Sequence, residues 1–316
     1  MNHYLGFDGG GTKTACVLVD DSDRVVAQAV AGPSNPLRVG LGQAVAALTT
    51  AAATALAPVD LRTSDVRAVC AGLAGAGRPS VVRDVTSSLQ EAFPTSFVHV
   101  TTDLEIALEA AAGSGPGVVL IAGTGSAAYG RNAAGEVVRA GGHGPWIGDE
   151  GSAFDIGRRA VVAVASARDL GAPLPQLAER ISAALEISGW DELIERIAQN
   201  PDEVFPRLFP VVVEAADAGD NVAREILASA GTELADLAAA VIRRLDLQKT
   251  EFVLAKSGGV FGSSALLDAP LDGALKQLAP RAKIGPLEVS PAIGAARLAR
   301  RLADTQPGSA AHGAKG

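Results

Sequence analysis

The sequence predicts an α/β protein made of two similar lobes around a cleft. Strands alternate with helices as far as Ala112, a pattern that buries a parallel sheet between layers of helix. A unit of strand, glycine-threonine turn, strand, polar turn and strand opens the chain and recurs after the Gly113–Gly117 break. Repetition at that scale argues for a duplicated lobe. Hydrophobic residues make up 48% of 316 positions, enough for a substantial core, and many are Ala and Val, which suits helices packed closely on sheets.

The opening stretch, GFDGGGTKTACVLVD, tests this reading first. Gly6 and Gly11 have the spacing of a P-loop, but Thr12 stands where that motif requires Lys, and Lys13 comes one place late. A P-loop must also open a helix. Here Ala15 to Val19 is apolar and β-branched, Asp20-Asp21-Ser22 reads as a turn, and Val25 to Val30 is apolar again. The pattern is therefore a β-meander. An Ala-rich helix follows from about Gln43 to Leu56, then a strand at Val66 to Ala71, a helix at about Ser80 to Ala92, a strand at Phe97 to Thr101, and a helix from Asp103 to about Ala112. The second meander is expected at Val118 to Ala122, Ala127 to Gly130 and Glu136 to Ala140. The rest reads as mostly helical. Helices are expected at Asp149 to about Ala167, Asn221 to Leu245, Ser263 to Leu278 and Ala292 to Leu302, with a strand at Phe252 to Ala255. Ile226, Ala230, Leu234, Leu237, Val241 and Leu245 share one face of the second of these helices.

A net charge of −8 and a pI of about 5.1, with no basic stripe, argue against a nucleic-acid partner. Cys16 and Cys70 lie in apolar, strand-like runs and read as buried thiols of a reducing cytoplasm. No apolar stretch is expected to reach the length of a membrane span, and the N-terminus lacks the layout of a signal peptide. A membrane partner is therefore not expected.

Several short stretches carry candidate chemistry. Gly9-Gly10-Gly11 lets backbone approach an anion without Cβ interference, and Thr12 adds a hydroxyl. Asp8 ends the first strand and faces the same space, where it can hold Mg²⁺ through water. Gly123-Thr124-Gly125-Ser126 is read as a second phosphate-contacting turn. Ser257-Gly258-Gly259 is either an ordinary strand-to-helix turn or a flat seat for adenine and ribose. Asp103 either caps its helix or, at the end of a parallel strand, accepts a proton from an attacking hydroxyl; both can hold. Asn35 is a turn former or a ligand contact. The loop from Gly141 to Ser152 carries five glycines, His143, Trp146 and two acids. Asp149 or Ser152 can cap the next helix, and Trp146 can be core, yet the mixture suits a polyol. His143 has no second His or Cys near it, so a metal reading is disfavoured.

Taken together, GFDGGGTKT, GPSNP, TTD, IAGTGS, GDEGSA and SGGVF resemble the BadF/BadG/BcrA/BcrD ATPase family and, within it, the N-acetylglucosamine kinases, over about residues 4 to 302. That family belongs to the actin, Hsp70 and sugar-kinase superfamily. The resemblance implies two ribonuclease-H-like lobes around a central cleft, the second rich in helix. The expected division is 1–115 completed by the last helix at 291–302, then 116–290, with a flexible tail at 303–316. It implies ATP and Mg²⁺ as cofactors, a sugar as substrate, and a homodimer.

By residue, the resemblance puts Asp8, Gly10, Gly11, Thr12 and Lys13 at the first phosphate site, with Asp8 towards Mg²⁺. Thr124 and Gly125 fall at the second phosphate site, and Gly258, Gly259 and Ser263 beside adenosine. Asp103 resembles the catalytic base. Asn35, Ser126, Ala127, Gly142, His143, Gly144 and Asp149 match sugar-contacting positions. Mammalian relatives have Gly-Trp-Gly at Gly142-His143-Gly144 and Asn at Ala127, so glucosamine, N-acetylglucosamine, N-acetylmuramic acid and glucose all stay open as acceptors. A dehydratase-activating ATPase of the same family needs an iron–sulfur cluster held by cysteines at a dimer interface, and no cysteine lies in a glycine-rich loop here. A sugar-sensing regulator would be expected to add an N-terminal helix-turn-helix, whereas the first predicted strand begins at about His3.

Overall fold

The computed structural model describes residues 1–305. They form two compact units, one from Met1–Ser114 with the chain from Leu287 onward, the other from Gly115–Pro286. In chain order the first unit contains β1 (His3–Gly9), β2 (Thr14–Asp20), β3 (Val25–Ala31), α1 (Pro36–Val39), α2 (Leu41–Leu56), β4 (Val66–Leu73), α3 (Pro79–Ala92), β5 (Phe97–Thr102) and α4 (Asp103–Ala112). The second contains β6 (Gly117–Ala122), β7 (Ser126–Arg131), β8 (Val137–Gly141), α5 (Ala153–Asp169), α6 (Gln176–Leu185), α7 (Trp190–Gln199), α8 (Pro201–Arg207), α9 (Phe209–Asp217), α10 (Asn221–Arg244), β9 (Val253–Ser257), α11 (Ala265–Leu278) and β10 (Lys283–Pro286). The chain then returns to the first unit as α12 (Pro291–Asp304).

Each unit holds one five-stranded sheet, ordered β3-β2-β1-β4-β5 and β10-β9-β6-β7-β8. In both, the meander is antiparallel and the two later strands run parallel to the first strand of the meander. Five strands with the same connectivity therefore occur twice. The second copy adds the helices α6 to α9 in the stretch read only as mostly helical, and its edge strand β10 lies outside the expected strands.

In the first unit, Leu5, Phe7, Leu18, Leu48, Leu89 and Phe93 form the core under α2 and α3. Tyr4, Val17, Cys70, Ile106, Ala292 and Ala296 form the core under α4 and α12. Alternation along β1 sends Tyr4 to one face and Leu5 to the other, as a strand buried on both faces requires. The approach of α12 is very close. A Cβ on Gly6 of β1 would lie 2.0 Å from the Ala292 carbonyl oxygen.

Three expectations need correction. The helix expected from Asp149 begins at Ala153, because Asp149 (φ +65°) and Gly151 (φ +72°) are left-handed and Ser152 is the N-cap. Residues 303 and 304 belong to α12 rather than to a flexible tail. Ala303 is buried and Asp304 pairs with Arg67 at 2.9 Å; the expected tail at 306–316 lies outside the described residues. Finally, Leu41–Val59 is long and apolar enough, by length and composition, to cross a membrane. The alanines that raise its hydropathy also let α2 seat closely: Leu48, Ala51, Ala52 and Ala55 are buried in the core of the first unit.

The turn between β2 and β3 gives a stability prediction. Buried Asp20 accepts from the Ser22 hydroxyl at 2.6 Å, the Ser22 and Arg24 amides at 3.0 and 3.1 Å, and the Arg24 guanidinium at 3.0 Å. The Ser22 hydroxyl above all holds this carboxyl well below the usual carboxylate range, despite burial. A depressed folded pKa contributes stability above the unfolded value of about 3.9, and that stability is lost as pH falls below it. Asp20→Asn is expected to lower stability at neutral pH and to flatten the loss between about pH 4 and pH 2. Urea unfolding across that range measures both effects; equal slopes in the two proteins would dismiss the Asp20 network.

Candidate active site

In the first unit the site is built at the C-terminal ends of three parallel strands. Asp8 on β1 is paired with Gly72 on β4, and Gly72 with Thr101 on β5. Asp103 follows two residues later as the first residue of α4. The cap itself is Thr102, whose hydroxyl accepts from the Glu105 amide at 3.3 Å. This corrects the expectation that Asp103 caps α4. Asp103 instead accepts from the Leu104 amide at 3.1 Å. Burial first, then the charge of Asp103, push the Asp8 carboxyl up to about 6, against the pull of Lys13. Two carboxylates thus stand at the same end of one sheet.

The hairpin beside them, Gly9 to Thr14, closes through the Gly10 amide on the Lys13 carbonyl at 2.9 Å. Gly10 therefore shapes the turn, and its N–H is already committed. Thr12 and Lys13 are exposed. The Gly10 carbonyl accepts from both the Ser34 and Asn35 amides at 3.1 Å. Asn35 caps α1, its side-chain oxygen accepting from Leu37 N at 3.0 Å. Gly75 closes on it from the turn after β4: a Cβ there would lie 2.6 Å from the Asn35 side-chain oxygen. Ser34, fully buried and 2.7 Å from the Thr14 hydroxyl, anchors the same corner. Sequence reading missed Ser34, Thr14 and Gly75; the glycines of Gly72-Leu-Ala-Gly75 were the available signal.

The second unit repeats the device. Gly123-Thr124-Gly125 closes through the Gly123 amide on the Gly125 carbonyl at 2.9 Å, and the Gly123 carbonyl accepts from Ala153 at the start of α5 at 2.8 Å. Thr124 is exposed. Gly258 (φ +114°) sits against the end of β6, where a Cβ would meet the Ala122 carbonyl oxygen at 2.1 Å. The fold thus brings Gly258 and the Gly123 turn, separated by more than a hundred residues, to one place. Gly259 follows, its carbonyl accepting from the Ser263 hydroxyl at 3.0 Å.

On the other side of the Gly123 turn lies Asp149, 7% exposed. A Cβ on Gly125 would lie 2.7 Å from its carboxylate. Burial above all raises its pKa, against the Ser126 and Gly144 amides. Its Oδ1 has no hydrogen-bond partner. Ser126 and Ala127 are buried, and the Ser126 hydroxyl donates to the Glu150 carbonyl at 2.8 Å. Gly142 lies against Ala127, and His143 is exposed. Trp146, with 76% exposure, is not core. Cys16 and Cys70 are free and buried, and burial raises both thiols.

Two copies of one meander-plus-parallel sheet, each with a glycine turn after its first strand, define an α/β protein of the actin-like, sugar-kinase class. A ROK family glucokinase from Streptomyces griseus, solved with glucose and AMPPNP, shares this fold at a TM-score of 0.61 and 19% identity, over 95% of this chain and all of that one. Residues 5–299 match the BadF/BadG/BcrA/BcrD ATPase family, and the chain belongs to it. It is 31% identical to an N-acetylmuramic acid/N-acetylglucosamine kinase of Clostridium acetobutylicum over 96% of this chain and 100% of that one. It is 32% identical to an N-acetyl-D-glucosamine kinase of Dictyostelium discoideum, over 94% and 97%. A Chromobacterium violaceum structure provisionally assigned as an N-acetylglucosamine kinase superposes with a TM-score of 0.76 at 26% identity, over 94% and 99%.

Proposed function

We propose that this protein transfers the terminal phosphate of ATP to the 6-hydroxyl of an amino sugar, N-acetylglucosamine or glucosamine. The observation that carries the reading is the placement of Asp8 and Asp103 at the C-terminal ends of parallel strands of one sheet, beside a glycine hairpin. The relatives' activities support the choice of acceptor. Asp103 accepts the proton of the sugar hydroxyl as its oxygen attacks in line. Thr12, Gly11 and Lys13 hold phosphate oxygens at the first hairpin, and Thr124 and Gly125 do so in the second unit. Gly258, Gly259 and Ser263 take the adenosine. Asn35, Ser126, Ala127, Gly142, His143, Gly144 and Asp149 contact the sugar, where the unpartnered Asp149 Oδ1 is suited to accept from a hydroxyl. A cytoplasmic homodimer belongs to the same proposal.

The residues fit Mg²⁺. Asp8 is half-buried, and a dication would offset both effects that raise it. Among the described residues no three His, Cys, Asp or Glu side chains cluster as a metal cage, which suits an ion held largely by water and phosphate oxygens. Asp8 would hold it through water, and when bound it would neutralise charge on the phosphates.

A coupled ADP-release assay with glucosamine, N-acetylglucosamine, N-acetylmuramate, N-acetylmannosamine and glucose tests the assignment; ATP turnover indifferent to every sugar would defeat it. The pH profile adds a second check. Only ionised Asp8 holds the ion, so kcat/KM is expected to fall as pH drops below about 6. Raising Mg²⁺ is expected to move that limb to lower pH, because the ion binds the ionised form. A limb near pH 4, or one that ignores Mg²⁺, would remove Asp8 from this role.

A further inference from the structure

The first hairpin carries a triple glycine where a simpler turn would serve. Gly9 is demanded by packing: a Cβ there would meet the Ser34 hydroxyl at 2.2 Å and Leu73 at 2.3 Å. Gly10 would meet only ordinary contact, with the Lys13 carbonyl at 3.5 Å. Gly11 has a different neighbour. A Cβ on it would lie 2.8 Å from Nη1 of Arg38 and 3.2 Å from its Cδ. The guanidinium and its stem occupy the space that the absent side chain leaves.

The backbone holds the helix that carries Arg38 against the hairpin. The Ser34 and Asn35 amides both bond the Gly10 carbonyl, and Asn35 caps α1, so the four-residue helix is tied to the hairpin and its last turn presents Arg38 over Gly11. A helix that short has little dipole for a basic residue to complement. The hairpin lacks the lysine of a P-loop at position 12, and its neighbours Asp8 and Asp103 are both acidic. A transferring phosphoryl group needs its equatorial oxygens neutralised. Lys13 acts towards Asp8; a guanidinium over Gly11 offers a planar fork matched to two phosphate oxygens.

We propose that Arg38 is a catalytic residue that contacts the transferring phosphate of ATP at the first hairpin. The inference rests on the kinase reading and extends it to a residue that the motifs do not include. As the bond between the γ-phosphorus and the β–γ bridging oxygen breaks and the bond to the sugar 6-oxygen forms, ADP carries away the electron pair and Asp103 receives the proton. Arg38 stays bound to the moving oxygens throughout.

The test compares wild type, Arg38→Ala and Arg38→Lys as full chains. Arg38→Ala is expected to lose about 10³-fold in kcat with an unchanged sugar KM and melting temperature. Arg38→Lys should recover only part of this, and free guanidinium ion should partly restore Arg38→Ala, which a merely structural role would not allow. Calorimetry gives a readout independent of turnover: Arg38→Ala should weaken AMPPNP while leaving ADP nearly unchanged. Wild-type kcat, a loss confined to sugar KM, or equal weakening of AMPPNP and ADP would each overturn the proposal. If wild type phosphorylates no sugar, the kinase reading fails, and the AMPPNP-against-ADP comparison still decides the phosphate contact.

Discussion

Asp103→Asn is expected to lower kcat by about 10³-fold while leaving sugar affinity, measured by calorimetry, close to that of wild type. The substitution is isosteric, and the helix does not depend on Asp103 for its cap, because Thr102 supplies it. What is lost is the carboxylate that takes the hydroxyl proton. The same change removes a like charge acting on Asp8, and Asp103 is second only to burial in raising that group. The acid limb of the residual activity should therefore move below its wild-type position near pH 6. The two readouts have separate causes, proton acceptance and charge repulsion. Turnover near that of wild type would end the assignment of Asp103 as base, and an unmoved limb would show that the two carboxylates do not sense each other.

Gly6→Ala is expected to cost roughly 3 kcal/mol or more, a large part of the 5–15 kcal/mol that holds a typical domain together. The added methyl would fall 2.0 Å from the Ala292 carbonyl oxygen and 2.4 Å from the Ala296 amide, both backbone atoms of α12. No rotamer change relieves that contact; the helix itself must lift off β1. Gly294→Ala should act on the same helix from its other side, where a Cβ would lie 2.2 Å from the Ile106 carbonyl oxygen of α4. Lifting α12 would expose Tyr4, Ala292 and Ala296 together. Urea unfolding followed by circular dichroism measures the effect. An unfolding midpoint for Gly6→Ala matching wild type would mean that α12 does not seat on β1 as described.

Local chemistry made much of this legible from residues alone. Short apolar runs broken by Gly-rich and Asp-rich turns marked both meanders to within one or two residues. Thr101-Thr102-Asp103 marked the strand-to-helix junction. Where local signals competed, the reading slipped. Asp149 resembled a cap, but its left-handed backbone and the Ser152 hydroxyl moved the start of α5 four residues on. The sequence reads α6 to α9 only as a mostly helical stretch, although Gly171, Ser188-Gly189, Asn200-Pro201 and Gly219 punctuate them.

What the sequence by itself determined is the strands other than β10, the turns of the two meanders and the residue types able to meet phosphate, since hydrogen bonding, backbone sterics and apolar runs act within a few neighbours. Only the tertiary structure decided that Gly6 meets Ala292, that Gly258 meets Ala122 and that Arg38 lies over Gly11. Such contacts arise when separate elements exclude water from a shared face, so the distances that matter depend on how whole helices and sheets pack.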